Sequence, residues 1–167
     1  MDVIYDGLVF SNSKEYRTIS IQTIHPDHWI NKLIDMATVF TQIINGDIPC
    51  YKIAESDEFF AFLDIRPVSK GHTLVIPKKE VDVLFDLEES DYLGLMKFAK
   101  QIAHAIDAAM NPVRVALTVE GLEVPHAHIH LIPMYETGGP FRLGHSIECS
   151  PEEMKKIADN ISNEVEL

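Results

Sequence analysis

The sequence predicts an α+β protein with a mainly antiparallel β-sheet. Short β-branched and aromatic runs alternate with turn-forming segments, and one long segment has helical periodicity. In order, these patterns predict a helix, three strands, a helix, two strands and a helix. The 167 residues are enough for one ordinary domain with a hydrophobic core and too few for two full-sized ones.

A short N-terminal helix opens this pattern. Thr38 can cap it, and Gly46 can end it because glycine adopts the left-handed conformation that follows many helices. Its apolar face contains Phe40, Ile43 and Ile44. After Pro49, an antiparallel meander of three strands is predicted at residues 50–55, 58–63 and 72–77.

One long central helix follows the meander. Asp86, with Glu89 three residues later, has the spacing of a capping box at its start, and Asn111 followed by Pro112 predicts its end. The residues predicted to form its apolar stripe are Leu93, Met96, Ala99, Ile102, Ala103 and Ile106.

Two more strands and a C-terminal helix complete the predicted order. The strands are expected at residues 113–120 and 125–132. Ser150 is expected to cap the last helix, with Pro151 at its first position and Glu153 completing a capping box.

The chain divides into three predicted regions, of which the first is the least regular. Residues 1–35 have no sustained period, so no firm element is predicted there. We expect this extension to be poorly ordered or to lie upstream of a biological start at Met36, with a genuine accessory segment as the alternative. Residues 36–147 form the predicted main domain, and 148–167 the C-terminal helix with an acidic tail.

Composition and charge limit the function classes. The formal net charge of −12 repels a polyanionic backbone, so no polymeric nucleic acid is expected as a partner. No apolar run approaches the roughly 18 residues of a membrane span, and no secretory signal pattern is present, so we expect no membrane partner and a cytoplasmic location. Cys50 and Cys149 lack the spacing of a disulfide framework or a thiolate metal site.

The chemistry is concentrated in three histidines near the end of the predicted sheet. His126, His128 and His130 alternate with aliphatic residues, which would place three imidazoles on one face of a strand. Three such groups are difficult to explain as core residues, because each buried imidazole needs hydrogen-bond partners. The spacing therefore indicates a functional site.

Two kinds of site fit three histidines on one strand. A metal site is less favoured, because the outer two Cα atoms would lie roughly 13 Å apart at about 3.3 Å per residue. Nucleophilic catalysis at phosphorus fits better, because one neutral imidazole can attack while the others bind or protonate the phosphate and leaving group. We therefore expect no metal and no cofactor, and keep a metal-dependent hydrolase as an alternative.

Two segments of the chain resemble the histidine triad (HIT) family, most closely its Hint-like nucleotide hydrolase branch. HAHIHLI at 126–132 matches the family motif of three histidines separated by hydrophobic residues, and residues 40–81 resemble the family's amino-terminal half. The resemblance covers roughly Met36 to Pro133 and implies a HIT-like fold. It also implies a homodimer formed by the long helix and a sheet edge.

The resemblance assigns roles to four histidines. His128 matches the nucleophile that forms a nucleotidyl-histidine intermediate, and His126 matches the residue whose backbone carbonyl orients it. His130 matches the member that contacts the phosphate and leaving group. His72 matches a fourth histidine that supports the triad from the neighbouring strand.

The resemblance also implies a nucleotide site. Asp64 matches the acid that binds the ribose hydroxyls, although a turn-capping role is an equal alternative. Gly121 matches a family glycine, whereas Leu122 and Glu123 replace a glutamine and a hydroxyl residue, and Glu123 is expected to accept a hydrogen bond from a leaving amine. An apolar base slot is implied at Phe40, Ile43, Ile48 and Phe62, of which Phe40, Ile43 and Phe62 would also fit a core.

The implied activity is hydrolysis or transfer on purine nucleoside phosphoramidates or similar AMP-X compounds, so the expected partner is a small purine nucleotide. Two alternatives stay open: cleavage of dinucleoside polyphosphates, and a nucleotide-binding regulatory module without turnover. The altered segment at 118–124 keeps the first alternative open.

Overall fold

The computed structural model describes Val3–Tyr5, Leu8–Phe10, residues 37–136 and residues 146–167. Contacts divide the chain into two units, Met1–Ala37 and Thr38–Leu167. In the first unit, strands β1 (Val3–Tyr5) and β2 (Leu8–Phe10) form an antiparallel pair, in a region for which the sequence pattern predicts no element. Met36 lies outside the described residues.

The second unit contains a five-stranded antiparallel sheet. Its spatial order is β3, β4, β5, β7 and β6, so the first three strands form a meander and β7 joins them to the edge strand β6. The strands are β3 (Lys52–Glu55), β4 (Phe59–Leu63), β5 (Thr73–Pro77), β6 (Arg114–Thr118) and β7 (Ile129–Met134).

In the described residues, three α-helices accompany this sheet: α1 (Val39–Ile44), α2 (Glu89–Met110) and α3 (Pro151–Asn163). A short 3-10 helix, Leu84–Asp86, precedes α2. The predicted α+β class and the predicted order of elements are therefore confirmed, with the predicted strand bounds trimmed at most ends. None of the described helices is both long enough and apolar enough to cross a membrane.

The two faces of the sheet have different coverings. One face packs against α2 and α3 in the larger hydrophobic core, to which Ala61, Leu63 and Val75 contribute. Side chains alternate along a strand, so Phe60, Phe62, Leu74 and Ile76 turn to the other face, where Phe40 of α1 packs with them. The short helix α1 therefore lies on the face that α2 and α3 leave open.

Two of the three predicted helix starts are confirmed. Thr38 Oγ1 accepts a hydrogen bond from Thr41 N at 3.1 Å, and Ser150 Oγ accepts one from Glu153 N at 3.2 Å. The predicted capping box at Asp86 is wrong, because Asp86 ends the 3-10 helix and α2 begins only at Glu89. The spacing was correct, but the tight turn at Leu84–Asp86 occupies the residues that the box would need.

The predicted apolar stripe of α2 is partly wrong. Leu93 is 58 % exposed, whereas Leu95 and Phe98 are buried beside Ala99, Ile102 and Ile106. Apolar residues recur every three or four positions along more than one side of α2. Only packing against the sheet decides which of these sides is buried. The end of α2 is as predicted, with Asn111 at φ 48° in the left-handed region.

The histidine segment is less regular than predicted. Strand β7 begins at Ile129, so only His130 lies in the sheet, opposite Leu74 of β5 and Thr118 of β6. His126 and His128 precede the strand, where Ala127 N donates to Val81 O at 2.6 Å instead of joining the ladder. The three imidazoles therefore do not share one strand face, because the chain enters the sheet only after His126 and His128.

Candidate functional site

A cavity of about 480 Å³ opens on the face of the sheet that carries α1. That volume lies in the roughly 300–1,000 Å³ range of small-molecule sites. Its walls come from α1, from β4 and β5, from the loop after β4 and from the segment between β6 and β7. The site thus combines residues that lie far apart in the sequence.

Most of the predicted site residues line this cavity. They are Phe40, Ile43, Ile48, Phe62, Asp64, His72, Gly121, Glu123, His128 and His130. The imidazole of His126 is the exception, because it does not line the cavity. Lining residues that the sequence pattern did not indicate include Cys50, Arg66, Glu120 and Ser146.

The His128 ring is oriented by the backbone of its neighbour. Its Nδ1 lies 2.6 Å from the carbonyl oxygen of His126. A carbonyl oxygen only accepts, so Nδ1 carries the proton and donates. In the neutral ring, Nε2 then has a free lone pair. The ring is 5 % exposed and lines the cavity, so this lone pair is available to a bound ligand.

A second chain of hydrogen bonds fixes the rings of His72 and His130. The backbone N–H of Val68 can only donate, and it lies 3.3 Å from Nδ1 of His72. The proton of neutral His72 is therefore on Nε2, which donates to Nδ1 of His130 at 3.0 Å. The proton of His130 is then on its Nε2, which is buried without a partner among the described residues. His130 lines the cavity, and this N–H is the donor that its ring has left for a further hydrogen bond.

Burial keeps these rings neutral. It lowers the pKa of His130 to about 4, with further lowering by His128 and His72, while Asp64 acts in the opposite direction. Burial also lowers the pKa of His72, against the opposing charge of Asp64, and the pKa of His126. The proton positions described for His72 and His130 therefore hold at neutral pH.

The His126 ring has a structural part in the site. Its Nε2 donates to Pro77 O at 2.8 Å, and its Nδ1 accepts from the hydroxyl of Thr38 at 2.9 Å. Both ring nitrogens are used and the side chain is fully buried, so the imidazole has no free group for a ligand. Thr38 also caps α1, and this one hydroxyl joins the helix start to the histidine segment.

Phe40 connects the apolar part of the cavity to the histidines. Its ring meets the rings of His128, His126 and Phe62 edge-on, with centroids 5.2, 5.7 and 5.6 Å apart. Ile43 and Ile48 are half-buried nearby in the cavity wall. The predicted base slot and the histidines are therefore parts of one cavity.

The acidic residues of the cavity have partners of their own. Asp64 Oδ1 accepts from the backbone N–H of Arg66 at 2.8 Å, which is the turn-capping contact considered from the sequence, and its Oδ2 lies 3.6 Å from Nδ1 of His72. The Glu123 carboxylate forms an ion pair with the Arg66 guanidinium. Asp64 and Glu123 still line the cavity, so contact with a ligand stays compatible with these interactions.

One group of side chains in the described part of the chain has the proximity of a metal site. The ligand atoms of Asp64, His72 and His130 lie within 4.8 Å of one another. This set differs from the three triad histidines weighed from the sequence, because it contains Asp64 and His72 in place of His126 and His128. The ring nitrogens that join His72 to His130 cannot keep their hydrogen bond and also coordinate an ion.

The double role of Thr38 gives a stability prediction. In Thr38→Val the helix cap is lost and Nδ1 of His126 is left buried without a donor, so we expect a loss of roughly 2–4 kcal/mol in unfolding free energy. Ser150→Ala removes an exposed cap with no second partner and should cost about 1 kcal/mol. Chemical denaturation measures the unfolding free energy of both variants. Equal losses would contradict the second role of Thr38 as the partner of His126.

The lowered histidine pKa values give a pH prediction. Between pH 6.5 and about 4, His130 binds a proton in the unfolded chain but not in the folded one. Its contribution to the unfolding free energy is therefore fully present above pH 6.5 and is lost as the pH decreases toward 4. For His130 alone the loss is on the order of 3 kcal/mol. His130→Asn, which keeps an acceptor for His72, should reduce this fall, whereas the exposed-site control His104→Asn should retain it. Chemical denaturation at several pH values measures the unfolding free energy of each protein. If this free energy falls as steeply in His130→Asn as in the wild type, the result argues against a neutral His130 ring.

Comparison with known proteins agrees with this architecture. Residues 45–137 match the model of the HIT domain. Adenosine 5′-monophosphoramidase of Schizosaccharomyces pombe is 35 % identical over 136 residues, which cover 78 % of this chain and 99 % of that protein.

Solved structures agree as well. A Hit-like protein from Bartonella henselae, described as involved in cell-cycle regulation, superposes with a TM-score of 0.70 at 29 % identity, covering 77 % of this chain and 96 % of that one. A hypothetical histidine triad nucleotide-binding protein from Sulfolobus tokodaii gives a TM-score of 0.66 at 29 % identity, covering 75 % and 89 %. On the family model, the sequence identity and the shared fold, the chain belongs to the histidine triad (HIT) family.

Proposed function

We propose that the protein is a nucleoside phosphoramidase that releases AMP from purine nucleoside phosphoramidates or related AMP-X compounds through a nucleotidyl-histidine. One observation carries the proposal: the hydrogen bond from His128 Nδ1 to the His126 carbonyl leaves Nε2 as the ring nitrogen with a free lone pair in the neutral imidazole, and the ring lines the cavity. The relative in Schizosaccharomyces pombe, named an adenosine 5′-monophosphoramidase, supports the same substrate class.

The reaction would proceed in two displacements at phosphorus. Nε2 of His128 forms a bond to the α-phosphorus as the bond to the leaving nitrogen breaks, and the amine departs with a proton from water. Water then attacks the same phosphorus and loses a proton to the hydroxide that the first step left. The histidine–phosphorus bond breaks, and AMP is released. Splitting one difficult step into two in this way is the usual advantage of a covalent intermediate.

His130 and His72 would serve the phosphate. Neutral His130 donates from Nε2, which has no partner among the described residues, to a phosphate oxygen whose negative charge grows during attack. His72 holds His130 in the tautomer that makes this donation possible. The His126 ring acts indirectly, since it anchors the segment whose carbonyl orients His128.

The remaining lining residues would hold the nucleoside. Phe40, Ile43, Ile48 and Phe62 offer an apolar slot for a purine. Asp64 can accept hydrogen bonds from the ribose hydroxyls with the lone pairs that its contact with Arg66 leaves free. Gly121 and Glu123 line the wall from the segment between β6 and β7. Catalysis in this proposal uses no metal.

Release of AMP from adenosine 5′-phosphoramidate tests the proposal. We expect turnover by the wild type, retention with a chelator, and a loss of at least about 10³-fold in His128→Ala, because the nucleophile is gone. His104→Ala removes an exposed histidine from α2 and should keep full activity.

Three results would contradict the proposal, and each would indicate a different alternative function. Loss of activity with a chelator would indicate a metal-dependent hydrolase. Cleavage restricted to dinucleoside polyphosphates would favour that alternative substrate class. Nucleotide binding without turnover in the wild type would indicate a regulatory module.

We also propose a homodimer formed through strand β6 and helix α2. Within the described residues β6 has a strand neighbour on one side only, and an open edge strand of this kind commonly pairs with another chain. Val113, Leu117 and Val119 on and beside this strand are 54 %, 49 % and 39 % exposed, and Leu93 of α2 is 58 % exposed. Burial of these apolar side chains would favour association.

Light scattering coupled to size-exclusion chromatography tests the dimer. The wild type should have a mass twice the 18.9 kDa of one chain, and Leu117→Lys should shift it to the monomer because a charge enters the interface. Leu167→Lys, at the exposed carboxyl terminus, is the control and should stay dimeric. A monomeric wild type would refute the dimer without affecting the proposed activity.

A further inference from the structure

The cavity mouth is formed by two short segments that face each other. Ile65 and Arg66 come from the loop after β4, and Leu122 and Glu123 from the segment between β6 and β7. Each segment presents an apolar residue followed by a charged one. Ile65 is 72 % and Leu122 83 % exposed, and the side chains of Arg66 and Glu123 are 69 % and 67 % exposed. We call these four residues the rim.

The rim is bridged by a single ion pair. Arg66 and Glu123 are joined across the mouth although they are 57 residues apart in the sequence. An exposed pair contributes little to stability, typically about 0–1 kcal/mol, so the fold does not depend on it. Its position matters more, because both side chains line the cavity and are largely exposed, which places the pair between the cavity and solvent.

The charge balance of the cavity makes Arg66 important. Among the described lining residues, Asp64, Glu120 and Glu123 are acidic and Arg66 is the one Lys or Arg side chain, so the formal balance is three negative charges against one positive. The lining imidazoles are no compensation where burial keeps them neutral, as for His72 and His130. Arg66 forms an ion pair with Glu123, so the positive charge of Arg66 is already neutralised by this carboxylate.

We propose that the Arg66–Glu123 pair is a charge filter at the mouth, which favours nucleoside phosphoramidates with uncharged leaving groups over dinucleoside polyphosphates. This inference rests on the proposed function and narrows its substrate class. A polyphosphate leaving group brings several negative charges toward a rim that holds Glu123 and offers no free cation. An amine leaving group brings none, and its alkyl or aryl portion fits the apolar side chains of Ile65 and Leu122.

The filter predicts opposite effects for its two members. Glu123→Gln removes one negative charge and frees Arg66 to bind a polyphosphate, whereas Arg66→Gln leaves Glu123 unpaired and increases the repulsion. The ratio of kcat/KM for diadenosine tetraphosphate to that for adenosine 5′-phosphoramidate should rise about 10-fold in Glu123→Gln and fall several-fold in Arg66→Gln. Most of each change should be in KM for diadenosine tetraphosphate, and it should shrink with added salt.

Two controls separate the filter from general effects. Glu153→Gln removes an exposed carboxylate that pairs with Lys70 outside the cavity, so it changes net charge equally and should leave the ratio unchanged. The double variant with Arg66→Glu and Glu123→Arg keeps an ion pair and the cavity charge, and should return the ratio close to the wild-type value. An unchanged ratio in Glu123→Gln, or the same shift in Glu153→Gln, would overturn the proposal.

Equilibrium binding keeps the filter testable if the proposed function fails. The affinities of the wild type and Glu123→Gln for AMP and for ATP are measured by calorimetry. A preference for ATP over AMP that rises about 10-fold in Glu123→Gln supports the filter even without turnover. An equal preference in both proteins refutes it, and absent hydrolysis of both substrates by the wild type refutes only the proposed function.

Discussion

A buried neutral imidazole has one donor nitrogen and one acceptor nitrogen, and an orphaned ring nitrogen costs free energy, so its partners decide which nitrogen carries the proton. In this protein two backbone groups make that decision. The carbonyl of His126 accepts from His128, and the N–H of Val68 donates to His72, which passes the constraint on to His130. A backbone N–H can only donate a hydrogen bond, and a backbone carbonyl can only accept one. The cavity therefore contains one imidazole with a free lone pair and another with a free N–H, at fixed positions.

This arrangement explains how an acidic chain can offer a site for an anion. The chain has a net charge of −12, and the residues that line the cavity have more carboxylates than Lys or Arg side chains. Neutral N–H groups inside a cavity can still stabilise a phosphate, because the dipole of a fixed donor is effective where water is excluded. Burial, which lowers the pKa of His130, keeps the ring in this neutral form. The acidic composition of the chain is therefore compatible with the proposed anion site.

The sequence predicted those features of the fold that depend on residues close together in the chain. The order of elements, the N-caps at Thr38 and Ser150 and the end of the long helix at Asn111 all depend on neighbours within a few residues. Most of the site residues that it predicted also line the cavity, because the histidine spacing and the family resemblance point to them. Where a regular strand was assumed, as at His126 and His128, the alternation rule failed, because the chain forms a different hydrogen bond at Ala127.

Long-range contacts were not predictable. Nothing local distinguishes Arg66 from other surface arginines, since its partner Glu123 becomes a neighbour only after the fold forms. The His126 ring, which the spacing grouped with its two neighbours, contacts Thr38 and Pro77 from two other elements. The buried phase of α2 was also undetermined, because Leu93 and Leu95 both fit an apolar period and only the sheet selects between them.

The placement of Phe40 has a consequence for altering base preference. Its ring touches Phe62 on the slot side and the edges of His126 and His128 on the other, so one side chain borders both the proposed base and the proposed nucleophile. A smaller residue there would enlarge the slot and also loosen the imidazole, which lowers the rate for every base. Ile43 and Ile48 line the same slot without a ring contact to the histidines. Evolution or design can therefore retune base choice at these two positions, whereas Phe40 links selectivity to rate.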